Sequence, residues 1–330
     1  MPMYYLESAV TDPFYNLALE EYVFEGLPRS GEYFMLWQNH NSIIVGKHQN
    51  TVEEINLPYV REKRIRVARR LSGGGAVYHD LGNLNYTFIR DAADTRLDLS
   101  AFCVPVIQAL SCLGVEAVLS GRNDITIDAK KFSGNAQYLR ANRVMHHGTL
   151  MFDSDLEVLS EALKVSPDKI ESKGIRSVRS RVTNIREHLK RDMTMQEFKE
   201  VLKGYMMEEN QMRFYTLTPE DQASIETIRR KRYATWEWNF GSSPPYSIRK
   251  ERRVEGCGNI QIYMEVEHGV ITAFATRGDY FGADDAGDVE RALLGCRVSR
   301  PALSAALSGL DIGFYFKNLS VQELIEIILQ

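Results

Sequence analysis

The chain has 330 residues, 44% hydrophobic and 25% charged, which supplies a full core for one large unit plus a small one, or two of middling size. Its net charge of −4 excludes a global basic field drawing it to nucleic acid or an anionic membrane, so any basic site is local. The start, MPMYYLESAV, has neither a basic nor an apolar leader pattern, and no apolar run is long enough to span a bilayer, so the cytosol is the expected compartment.

In chain order, YYLESAV reads as a strand. TDPFYNLALEEYVFEGL follows as a helix, capped by Asp12 with Pro13 in its first turn. EYFMLWQ and SIIVGKHQN are strands, EEINLPYVREK is broken helix, and IRVARR is a strand running into glycines. GAVYHDLGNLNYTFI has the pattern of a β-hairpin turning at Asp80-Leu81-Gly82-Asn83. LSAFCVPVIQALSCLGV has helical period and ends at Gly114. EAVLSGRNDITID, AKKFSGNAQYLR and RVMHHGTLMFD are strand-like pieces joined by Gly/Asn turns, and three helical segments follow up to Tyr233. NFGSSPPYSIRK marks a boundary, which predicts units at 1–243 and 244–330. Beyond it come a three-stranded meander and short helices.

Four stretches carry chemistry. RRLSGGGAVYHD is neither a Walker loop nor a dinucleotide fingerprint, because no Lys-Ser/Thr and no helix follow its glycines. Three bare residues in a row cost backbone entropy, so a ligand lying against the backbone, with Arg70 near an anion, is the expected reason. A side chain at Gly74 is then expected to weaken ligand use far more than folding. In GRNDITIDAKKFSGNAQ, Lys130 and Lys131 point to opposite faces of a strand, so one of the two turns inward. The small-residue turn beside them favours an anion site. In HHGTLMFD, His146 and His147 cannot face one metal ion from adjacent strand positions, and no thiol or carboxylate stands at ligand spacing. One of them faces a pocket or a satisfied core position. KGIRSVRSRVTNI is a dense basic loop without the interleaved aromatics of a single-strand nucleic-acid site. Cys103, Cys112, Cys257 and Cys296 form no CxxC pair and read as reduced thiols.

Taken together, RRLSGGGAVYHDLGNLNYTFI, GRNDI, KFSGNAQ, HGTLMFD and KGIRSVRSRVTNI resemble, in order and over nearly the whole chain, the lipoate–protein ligases. The resemblance implies an α+β fold: a class II biotin/lipoate ligase-like catalytic domain with mixed sheets flanked by helices, plus a small α+β accessory domain. It implies ATP-dependent activation of lipoate to lipoyl-AMP, with Mg2+, and transfer to a lysine of acceptor domains. These are the acyltransferase subunits of 2-oxoacid dehydrogenases and the glycine-cleavage H protein. Octanoate is a possible second acid, and neither nucleic acid nor membrane is a partner.

By the same resemblance, Lys131 is the lysine contacting phosphate and acyl oxygen, and Asp124 contacts the adenylate or assists the amine. Arg70 holds the charged end. Ser72, Gly73, Gly74, Gly75, Ala76, Val77, Tyr78, Ser133, Gly134 and Ala136, with Lys173, Val178 and Arg179 of the basic loop, touch ATP or lipoyl-AMP. Leu17, Trp37, Val77 and His79, with Gly75, His147 and Gly148, line the lipoate tunnel. Some members carry an arginine just after the small-residue turn; here that place is Tyr138, and Arg140 follows. Two rivals are an octanoyl or lipoyl transferase, which needs a cysteine nucleophile, and a non-catalytic nucleotide- or RNA-binding module. The cysteines lie away from the signature strands, and the charge of −4 disfavours the second rival.

Overall fold

The structure is a computed structural model and describes residues 1–92, 99–121, 123–163, 181–240, 248–267 and 269–329. Fourteen strands are placed among these. They are β1 (Met3–Glu7), β2 (Glu32–Trp37), β3 (Ser42–Val45), β4 (Arg66–Arg69), β5 (Val77–His79), β6 (Asn83–Asp91) and β7 (Val118–Ser120). There follow β8 (Asp124–Ile127), β9 (Lys130–Arg140), β10 (Arg143–Met151), β11 (Arg213–Phe214), β12 (Ile248–Val254), β13 (Gly258–Glu267) and β14 (Val270–Gly278). One mixed sheet has eight strands in the order β11-β1-β2-β6-β10-β9-β8-β7; a second has three, β4-β3-β5. The third is the antiparallel meander β12-β13-β14 expected near the C-terminus.

Both faces of the large sheet are covered, which is why EYFMLW reads as a continuous apolar run rather than an alternation. Phe34 and Leu36 join one core, while Tyr33, Met35 and Trp37 join another on the opposite face. The helix Pro13–Glu25 lies over that second face and brings Leu17 and Glu20 to it. Asp12 caps it by accepting from Phe14 N, as its position ahead of Pro13 predicts. A third core belongs wholly to residues after 247, where the meander packs against short helices. The boundary stretch 241–247 and the division at 243/244 lie outside the described residues. Among the described residues no helix is long and apolar enough to cross a membrane.

The expected hairpin at 75–89 is not one. The chain does reverse at Asp80–Asn83, with Asp80 Oδ1 accepting from Gly82 N at 2.9 Å. Yet β5 pairs with β3, and β6 pairs with β2 and β10, so the turn carries the chain from one sheet to the other. Gly82 allows this because a Cβ there would meet Asp153 O at 2.0 Å. The expected small-residue turn at Ser133–Ala136 is likewise the middle of one eleven-residue strand, β9.

Candidate active site

A cavity of about 600 Å³ lies between the large sheet and the small one, the size of an ordinary small-molecule pocket. The large sheet contributes Trp37, Asp124, Lys131, Gly134, Ala136, His147 and Gly148 to its wall. The small sheet contributes Val77, Tyr78 and His79; Leu17 comes from the first helix, and Arg70, Gly75 and Ala76 from the glycine loop. These expected residues converge. Ser72, Gly73, Gly74 and Ser133 do not reach the wall. Lys173, Val178 and Arg179 lie outside the described residues. The chain re-enters description at Arg181 and Val182, which line the cavity, and Val182 bridges in parallel to Lys131.

Strand geometry settles the lysine pair. Lys130 is exposed, whereas Lys131 turns inward and places Nζ 2.7 Å from Asp124 Oδ1. A register shift between Ile125 and Thr126 sets Asp124 opposite Gly134 and Thr126 opposite Lys131. Gly134 leaves room for that lysine: a Cβ there would stand 3.0 Å from Lys131 Nζ and 3.1 Å from its Cε. The ammonium therefore lies across the strand it springs from, over the cavity floor.

Arg70 is buried, and its guanidinium is engaged by the loop itself. Nε donates to Ser72 Oγ, Nη1 to Ile44 O, and Nη2 to both Gly73 O and Gly75 O, at 2.7–3.1 Å. Burial pulls it down to about 10, still charged at neutral pH. It ties the loop into shape and leaves one Nη1 hydrogen uncommitted to these partners. The glycines divide in the same way. Only Gly75 lines the cavity. A Cβ on Gly73 would stand 2.4 Å from Tyr280 O, and one on Gly74, with φ +88°, would stand 2.8 Å from the Phe281 ring. Gly74 N also donates to Tyr280 O at 3.3 Å. Two of the three glycines thus lie against the C-terminal unit, where a side chain would collide.

His147 joins the glycine loop to the first helix. Its Nδ1 donates to Glu20 Oε1 at 3.0 Å, and its Nε2 meets Ser72 Oγ at 2.6 Å. Glu20 also accepts from Thr87 Oγ1 at 2.5 Å, which in turn accepts from Trp37 Nε1 at 2.9 Å. Ser–His–carboxylate is the order of a hydrolase triad, but Ser72 is 1% exposed, lies off the cavity wall and already accepts from Arg70. The chain of contacts is a brace. It holds Trp37 and His147 as the far wall. His146 points the other way and stacks on Phe102 at 4.8 Å, the satisfied core position.

No cysteine lines the cavity. Cys103 is buried with Sγ 4.0 Å from His146 Nε2, and Cys112 is exposed. The wall therefore offers no thiol for an acyl thioester. Among the described residues no three His, Cys, Asp or Glu side chains converge as a metal cage. Arg140 pairs with Glu25 at 2.9 Å on the surface, and Tyr138 packs on Phe24 at 5.2 Å, so neither reaches the site.

Sequence reasoning missed Glu20, Asn83, Asn85, Asn135 and Thr149. Glu20 hides in a helix as an ordinary charge. Asn83, Asn85 and Thr87 left a legible mark, polar residues at every second place of an otherwise apolar strand.

Residues 12–207 match the family model for the lipoyl protein ligase A/B catalytic domain, and residues 243–328 that for the bacterial lipoate protein ligase C-terminus. A lipoate-protein ligase of Bacillus subtilis is 46% identical over 323 residues, 97% of each chain. Lipoate–protein ligase 1 of Staphylococcus aureus is also 46% identical, covering 96% of this chain and 97% of its own. Among solved structures, Plasmodium falciparum LipL1 in complex with lipoate shares the fold, with a TM-score of 0.80 over 99% of both chains at 23% identity. A lipoate-protein ligase A bound with ATP has a TM-score of 0.62 at 28% identity, over 73% of this chain and 98% of its own. A chain that matches these enzymes over both its units, and along almost its whole length, is one of them: it belongs to the lipoate–protein ligase family.

Proposed function

We propose that Lys131 is the centre of a two-step ligation in this cavity. In the first step a lipoate carboxylate oxygen attacks the α-phosphorus of ATP, pyrophosphate leaves, and lipoyl-AMP forms. In the second the amine of an acceptor lysine attacks the acyl carbon, and AMP leaves with the bonding pair. Negative charge builds on phosphate oxygen in the first step and on acyl oxygen in the second. One ammonium placed between them stabilises both.

The observation that carries this reading is the Lys131–Asp124 pair at 2.7 Å on the cavity wall, each side chain about a third exposed. Asp124 holds the ammonium on the cavity side and is placed to accept a proton from the incoming amine. Apolar wall from Leu17, Trp37, Ile44 and Val77 receives the acyl chain, at about 0.8 kcal/mol per buried methylene. Gly75, Ala76 and Tyr78 supply a close backbone ledge for the adenylate, with Gly134 and Ala136 opposite. Ser72 and Ser133 support that ledge from behind. Lys173, Val178 and Arg179 belong to a segment whose continuation, Arg181–Val182, enters the same wall. Magnesium, when present, rests on phosphate and water. Residues 244–330 form an accessory domain that closes over Gly73 and Gly74. The acceptors are lipoyl domains of 2-oxoacid dehydrogenases and the glycine-cleavage H protein.

The test mixes the full chain with lipoate, Mg-ATP and an apo lipoyl domain, and weighs the acceptor by mass spectrometry. The expected result is one lipoyl mass gain that requires ATP. No gain under any of these conditions would sink the reading.

A further inference from the structure

Residues two apart on a strand share a face, so β12 sorts its charges into two sets. Ile248, Lys250, Arg252 and Val254 turn toward their own unit. Ile248 and Val254 pack on its core, and Arg252 pairs with Glu326 at 3.5 Å. Arg249, Glu251 and Arg253 turn the other way and are exposed. Arg253 belongs to the wall of the cavity that holds Lys131, although the two residues come from different units.

The end of the meander is pressed against the glycine loop, and that brings Arg253 in. Gly278 N donates to His48 O at 2.9 Å, and Gly74 N to Tyr280 O at 3.3 Å. Arg253 stands opposite Asn259 in the β12–β13 ladder, and Asn259 N donates to Asp279 Oδ1 at 2.6 Å. Gly278 lets these backbones close up: its φ is +137°, and a Cβ there would stand 2.0 Å from Asn259 O. Arg253, Asn259 and Asp279 thus form a row across the end of the meander. Both ends of the row, Arg253 and Asp279, line the cavity.

Arg253 is a cation without a counter-charge. The carboxylate on its own face, Glu251, already accepts from Arg249 at 3.0 Å, Asn259 Nδ2 at 2.5 Å and Gln261 Nε2 at 3.3 Å. Asp279 is turned to the backbone of Asn259. Among the described residues Arg253 makes no ion pair and no side-chain hydrogen bond. Two other cations of the wall are engaged, Arg70 by four oxygens around the glycine loop and Lys131 by Asp124. An arginine stays charged at neutral pH, and its planar fork matches two oxygens of a phosphate.

We propose that Arg253 is a substrate-contacting residue of the first half-reaction: it reaches in from the C-terminal unit, binds the β- and γ-phosphates of ATP, and steadies the pyrophosphate as it leaves. The inference rests on the ligase reading above. In that step a bond forms between a lipoate carboxylate oxygen and the α-phosphorus. The bond from the α-phosphorus to the bridging oxygen breaks, and pyrophosphate carries off its electron pair. Lys131 serves the α-phosphate and the acyl oxygen, so charge gathering on the leaving group needs a cation of its own. Arg253 supplies it from the side of the glycine loop. Pyrophosphate takes no part in the second step, so acyl transfer does not use Arg253.

The experiment compares the full-length wild type with Arg253→Met and, as a control on the other face of the same strand, Arg252→Met. Arg253 is exposed, so its loss leaves the fold intact. Lipoate-dependent ATP–pyrophosphate exchange reports the first step, and transfer from supplied lipoyl-AMP to an apo lipoyl domain reports the second. Arg253→Met is expected to lower the exchange kcat about 100-fold and to raise KM for pyrophosphate about tenfold. Its transfer rate should stay within about twofold of wild type, and Arg252→Met should match wild type in both steps. Exchange by Arg253→Met within about threefold of wild type overturns the proposal. So does a loss of transfer as large as the loss of exchange, or an equal loss in Arg252→Met, since either marks an effect of the unit as a whole. A raised KM for the acceptor domain with exchange intact also overturns it and makes Arg253 a docking residue. A wild type with no lipoate-dependent exchange refutes the ligase reading instead, so the two failures are distinguishable.

Discussion

At the scale of single residues, Gly134 and Lys131 belong to one device. A glycine in mid-strand is unfavourable in itself, and here its missing Cβ is where the lysine ammonium lies. Gly134→Ala should therefore fold normally, because the crowded atoms end a flexible side chain. The ammonium must give by a few tenths of an ångström, so pyrophosphate exchange should fall by about tenfold, less than for a full ångström of misplacement. A melting curve beside the exchange assay checks both halves. Lys131→Ala should abolish exchange with a stability change within about 0.5 kcal/mol, since the side chain is 36% exposed and packs little apolar surface into a core. Full activity in that variant would show the central assignment is wrong. The lysine pair, the small residues and Asp124 are visible in the sequence. The choice of Lys131 over Lys130 follows by residue reasoning only once the strand's inner face is known.

At the scale of elements, the glycine loop and the β5–β6 turn show where sequence reasoning stops. Period-two alternation and Asp80-Leu81-Gly82-Asn83 do specify two strands and a reversal. They carry no information on pairing partners, because a strand's hydrogen bonds are made by backbone common to all residues. The tertiary answer, β5 to β3 and β6 to β2 and β10, separates the strands and opens the cavity between their sheets. The loop glycines are ambiguous in sequence for a related reason: a bare backbone signals close approach, not what approaches. Gly73→Ala should drive a methyl into the Tyr280 carbonyl and cost about 1–3 kcal/mol, read by urea unfolding. Gly74→Val should damage folding together with lipoate use, rather than lipoate use alone. In the brace behind the site, His147→Ala leaves the buried Glu20 carboxylate short of a donor. It should cost about 1–3 kcal/mol in the same measurement.

At the scale of the whole molecule, His48, His79 and His146 are buried and neutral, each pushed below the usual histidine value chiefly by desolvation, to about 3 for the first two. Each binds fewer protons folded than unfolded, so its contribution favours the fold above about pH 6.5 and turns against it as pH falls toward 3. Between pH 6.5 and 5, before most carboxylates titrate, unfolding free energy should fall by up to about 1.4 kcal/mol per pH unit for each of them. A pH-flat stability over that window would contradict the buried, neutral placement. His48 also ties the molecule together: its ring stacks on Tyr280 at 4.6 Å and its carbonyl accepts from Gly278 N at 2.9 Å. The loop carrying His48, the glycine loop and the C-terminal unit thus meet at one junction. The sequence by itself determined the periodicities, the helix cap at Asp12, the C-terminal meander and the motifs that mark the family, because these are local patterns of side-chain type along the chain. Only the tertiary structure decided that two glycines lie against Tyr280 and Phe281, that Arg70 is engaged by its own loop, and that Trp37, Asn85, Thr149, Gly134 and Asp124 line one cavity. Those facts depend on which backbones lie side by side, and that is fixed by packing of the whole chain.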